Sequence, residues 1–79
     1  MPMNVATGER YRARVMEILD HGAASTADIG DALGLERRVM LQALRALERR
    51  GLISEAFRAP RKSGRPVIVW KSILNPQGA

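Results

Sequence analysis

The side chains best equipped to hold a ligand lie in two clusters. Arg37, Arg38, Gln42 and Arg45 form the first, and Arg61, Lys62 and Arg65 the second. A guanidinium is a rigid fork of donors that fits phosphate oxygens or the O6/N7 edge of guanine. A glutamine amide fits the N6/N7 edge of adenine in the same bidentate way. Lysine offers a point charge to phosphate. Other chemistries lack their residues. The chain has no cysteine and one histidine, His21, at the expected end of a helix. No carboxylate pair and no phosphate-cradling glycine loop occurs, and Gly64-Arg65-Pro66 is not such a loop. The expectation is a binding protein rather than an enzyme, with no cofactor and no metal.

Charge is unevenly spread. Residues 1–35 hold three arginines and five acids, a net of −2, whereas residues 36–79 hold ten basic residues and three acids, a net of +7. The basic half begins where the first arginine cluster begins. That coincidence points to a polyanionic partner.

The elements that must position these residues can be read in order. Residues 1–6 are expected to be disordered, with Thr7 as an N-cap. Tyr11, Val15, Ile18 and Leu19 recur at i, i+4, i+7 and i+8, one face of an amphipathic helix, which Gly22 ends. Ala23 and Ala24 are a short link. Ser25 opens a second helix with Asp28 three residues on, a variant of the capping box. Gly30 permits close approach to a neighbour. Gly34 is a left-handed stop, and Leu35 plugs the core. A third helix runs from about Glu36 to Arg50. Its buried stripe is Met40, Ala43, Leu44 and Leu47, and Glu36 is read as its cap. Leu41 suits partial burial or contact with a thymine methyl. After Gly51 the period changes. Leu52 to Arg58 and Val67 to Lys71 read as strands, joined by Ala59 to Pro66 with Pro60, Gly64 and Pro66 as turn residues. Phe57, Ile68 and Trp70 are expected to bury against the first and third helices.

Three helices followed by a hairpin is the order of a winged helix-turn-helix, an α+β fold. Ser25 to Ile53 resembles the bacterial winged-helix repressors of the MarR and ArsR type, through Leu33-Gly34-Leu35 and the run Leu47-Glu48-Arg49-Arg50-Gly51-Leu52-Ile53. Ser63-Gly64-Arg65-Pro66 looks like the Gly-Arg-Pro wings of such regulators. The resemblance covers about residues 9–73. It implies a third helix in the major groove, with Arg37, Arg38, Gln42 and Arg45 facing DNA. It also implies a wing with Arg61, Lys62 and Arg65 on the backbone or in the minor groove. The chain departs from those families in two ways. No added dimerisation helix is expected after the hairpin or before the first helix, and the cysteines of the metal-binding members are missing.

The expected function is sequence-specific binding of double-stranded DNA by a small transcriptional regulator, as a homodimer on a palindromic site. Alternatives are a protein-interaction winged helix, or a binder of single-stranded nucleic acid or RNA, which needs exposed aromatics for stacking. No small-molecule effector is evident. No stretch approaches 18 apolar residues and the N-terminus has no apolar leader. The expectation is therefore a cytoplasmic protein with no membrane partner. The expected boundaries are a disordered 1–6, a DNA-binding domain over 7–74 and a frayed tail at 75–79.

Overall fold

The computed structural model describes residues 3–60 and 64–73, the side chains from residue 10 onward. The element order is α1 (Met3–Asp20), β1 (Ala24–Ser25), α2 (Thr26–Leu33), α3 (Arg37–Arg49), β2 (Ile53–Ala59) and β3 (Val67–Ser72). The three strands form one antiparallel sheet in the order β1-β3-β2. This is the expected α+β arrangement, a three-helix winged helix-turn-helix closed by a β-hairpin. No helix among the described residues is long and apolar enough to cross a membrane.

Local chemistry explains where α2 and α3 start and stop. The Ser25 Oγ accepts the Asp28 backbone N–H at 3.0 Å, which satisfies one of the donors left open at the first turn of α2. Gly34 ends α2 at φ +70°, and the Leu35 N–H folds back on the Gly30 carbonyl at 2.9 Å. A Cβ on Gly30 would stand 3.1 Å from the Leu35 carbonyl oxygen, a tight contact that would press the turn into α3 outward by a few tenths of an ångström. At the other end of α3, the Gly51 N–H reaches the Glu48 carbonyl and the Leu52 N–H reaches the Leu47 carbonyl. With Gly51 at φ +78°, that is the Schellman closure, which turns the chain into β2. Glu36 occupies the N-cap position of α3, but its side chain makes no capping bond, contrary to the reading of that residue as a cap.

The core sits where three helices meet the inner face of the sheet. Val15 and Leu19 of α1, Ile29 of α2, Met40, Ala43, Leu44 and Leu47 of α3, Ile53 of β2 and Trp70 of β3 are fully buried together. Leu35, Leu41 and Ile68 pack against this cluster half-buried. Burying one such aliphatic side chain contributes about 1.5–3 kcal/mol. The Trp70 ring brings a polar N–H inside, and it donates to the Thr26 Oγ1 at 2.8 Å. The same hydroxyl lies 3.5 Å from the Ile68 carbonyl. Thr26 thus ties the first residue of α2 to β3 while satisfying a buried donor.

Three further expectations are corrected. α1 begins at Met3, so Thr7 is not its cap and residues 3–6 are helical. Ala24 is not a plain link. With Ser25 it pairs against Trp70 and Val69 of β3 as a third strand. Phe57 does not bury, being 57% exposed. The cause is a β-bulge. Strict alternation from the buried Ile53 would put Glu55 and Phe57 on the core face. The register shifts between Glu55 and Phe57, so Glu55 pairs with the inward Trp70 while Phe57 pairs with Val69 on the outer face.

Candidate nucleic-acid interface

The geometry of α3 follows from its two stripes. Met40, Ala43, Leu44 and Leu47 bury one side. Arg38, Gln42, Arg45 and Arg49 recur at i, i+4, i+7 and i+11, which brings them onto one line along the opposite side. Arg38, Gln42 and Arg49 are exposed, and Arg45 is half-buried. Leu41, Gln42, Arg45 and Arg49 line a shallow groove of about 270 Å³. Arg49 therefore belongs with the residues chosen from the sequence, although it was left out of that set. The 3.6-residue period alone was enough to find it. Leu41 packs on the core and also lines this groove, which leaves one edge of it apolar.

Arg37 is exposed but points elsewhere. It lines a recess of about 80 Å³ with Thr26 and Ala27 from the start of α2 and Pro66, Val67 and Ile68 from the start of β3. The structure thus separates the two neighbouring arginines, one beside the base of the hairpin and one on the outer stripe. Arg65 is exposed just before β3. Arg61 and Lys62 lie outside the described residues, as does the expected tail over 75–79.

No protein-family model matches the chain, and no curated protein matches it in sequence. Within the site, Arg45 differs from the other arginines of α3 in its electrostatics. Its Nη1 donates to Glu48 Oε1 at 2.9 Å and to Glu55 Oε2 at 2.8 Å. Its guanidinium also stands over the Trp70 ring, 5.1 Å from the centroid. Glu55 accepts a second guanidinium, from Arg58, through Nε at 2.8 Å and Nη2 at 3.1 Å. The bidentate Arg58 contact first and the Arg45 contact second hold the Glu55 carboxyl down, from its ordinary 4.5 to about 2. The Glu48 hydrogen bond, followed by that of Glu55, pushes the Arg45 guanidinium up. Glu55 does the same to Arg58.

The bulge makes this network. In a regular strand, residues three apart face opposite sides of the sheet. The extra residue between Glu55 and Phe57 puts Arg58 opposite Ile68, on the side that Glu55 shares. No glycine marks that position, and nothing else in the sequence shows it. The Arg45–Glu48 pair, at i, i+3 on a helix, was legible. The Glu55 contact, made across the turn out of α3, was not. Arg45 thus stands on the outer stripe as expected, but tied to two carboxylates.

Proposed function

We propose that the protein binds double-stranded DNA with sequence preference, as a small transcriptional regulator. The observation that carries this reading is one helix with two opposed stripes. Met40, Ala43, Leu44 and Leu47 fix it to the core, and Arg38, Gln42, Arg45 and Arg49 lie along the side away from it. Such a helix fits the major groove, where arginine reads guanine and glutamine reads adenine. The basic hairpin tip, with Arg61, Lys62 and Arg65, would take phosphates or the narrow minor groove of an A·T tract. No catalytic, metal or cofactor role enters this reading.

One domain of this size covers few base pairs, so the reading includes a homodimer on a palindromic site. A strict monomer in gel filtration, even with bound duplex, would remove that part alone. The test of the main reading is fluorescence anisotropy with labelled duplexes across a salt series. About six phosphate contacts give a log–log slope near −5. Lys62→Ala should weaken all duplexes alike and flatten the slope by about 0.9. No binding at low salt would move the reading to a protein-interaction module. Single-stranded nucleic acid is the weaker reading. Trp70 is buried, and the exposed Phe57 lies on the outer face of the hairpin, away from the arginine stripe.

A further inference from the structure

Arg45 and Arg58 are cationic in a place where charge counts toward phosphate binding, yet both are already balanced. Glu48 and Glu55 bring two negative charges to their two positive ones, within 2.8–3.1 Å. Among the described residues, Arg37, Arg38, Arg49 and Arg65 have no such partner. We propose that Glu55 sets the specificity of DNA recognition, by holding two guanidiniums on one carboxylate and so withholding their charge from the phosphate backbone. The proposal rests on the double-stranded DNA reading above and assigns a further residue within it.

The geometry supports reading over clamping at Arg45. Both carboxylates bind the same terminal nitrogen, Nη1. The Nη2 and Nε donors have no partner among the described residues. The guanidinium carbon lies over the Trp70 ring, 5.1 Å from its centroid. An arginine fixed at one nitrogen loses little rotamer freedom when its remaining donors meet a base edge. The same fixation prevents it from swinging to whichever phosphate is nearest. Sequence-independent affinity comes from phosphate neutralisation, and a protein that has too much of it loses discrimination among competing sites. Together with Glu48, Glu55 takes two guanidiniums out of that pool without removing their free donors, and its own share is one charge. It is a positioning residue in this account and touches no DNA itself.

The experiment compares the wild-type chain, Glu55→Gln and Arg58→Gln. The probes are a duplex selected by the wild-type protein from a random pool and a scrambled duplex of equal length and composition. Affinity is read by anisotropy between 50 and 200 mM salt. Glu55→Gln should steepen the salt slope on the scrambled duplex by about 0.9, an extra loss of roughly three- to fourfold across that range, because Glu48 still holds Arg45. It should also lower the ratio of selected to scrambled binding. A merely structural glutamate would weaken both duplexes without steepening either slope. Arg58→Gln, at a largely exposed position, should leave the slope unchanged, because that charge is already neutralised. A wild-type slope in a folded Glu55→Gln protein overturns the proposal. If a melting curve finds Glu55→Gln unfolded, Arg58→Gln decides: an unchanged slope supports the proposal, and a slope flatter by about 0.9 overturns it. Wild-type protein that binds neither duplex sinks the DNA reading, and this assignment with it.

Discussion

Arg38 and Arg45 share one stripe of α3, two turns apart, and the fold treats them differently. Arg38 is open to solvent in the first turn. Arg45 is bound by Glu48 and Glu55 and lies over Trp70. A count of basic residues cannot tell them apart. The first is an exposed charge with no carboxylate partner among the described residues. The second is a fixed fork whose charge is cancelled nearby. The ten basic residues of the second half therefore overstate what that half can offer a phosphate backbone, because two of them are already balanced by neighbouring carboxylates.

The largest effect should come from breaking the platform that both arginines stand on. Leu44 is fully buried on the opposite stripe. Leu44→Ala should destabilise the fold by about 2–5 kcal/mol in a urea titration, because the cavity adds to the lost transfer energy. A loss below 1 kcal/mol would mean that α3 is not anchored as described. Arg38→Ala should leave the melting temperature unchanged and lower discrimination between selected and scrambled duplexes by about 1–3 kcal/mol. Equal weakening of both duplexes would make Arg38 a clamp and erase its contrast with Arg45. Thr26→Val tests the support beneath Arg45. It leaves the buried Trp70 Nε1 without its acceptor, at a cost of about 1–3 kcal/mol. A neutral result would show that the indole finds another partner.

The smallest effect concerns pH. The ionised form of Glu55 is favoured in the folded state, which lowers its carboxyl from 4.5 to about 2. Its contribution to stability is present in full above pH 4.5 and is lost as pH falls from there to about 2. The group is partly exposed, so the contribution is modest. Melting curves of wild type and Glu55→Gln should converge across that window. A constant separation would mean that the carboxylate is not held by its two arginines in solution.

How much of this was legible follows from the range of each interaction. The opposed stripes of α3 were written in a 3.6-residue period. The ends of α2 were written in Ser25 and Gly34, which satisfy their orphan backbone groups locally. Trp70 was assigned to the core as the largest apolar side chain of a strand. β1 escaped because two residues carry no period, and its partners lie more than 40 positions away. Phe57 was misplaced because alternation was carried through a bulge that no glycine announces. That bulge also brought Arg58 to Glu55, so the same irregularity that exposes Phe57 builds a contact that strand alternation does not show. Arg38, Gln42 and Arg45 were legible as one face of α3, whereas the separation of Arg37 from them and the place of Arg49 beside them were not read. Which of the site's charges were already paired depended on contacts across the turn out of α3.

The most direct test of the central claim is selection of double-stranded DNA from a random pool by the full chain at low salt, repeated with Arg38→Ala. The account expects one short motif enriched by wild type and a relaxed motif, with one position degenerate, for the variant. No enrichment over resin without protein would contradict it.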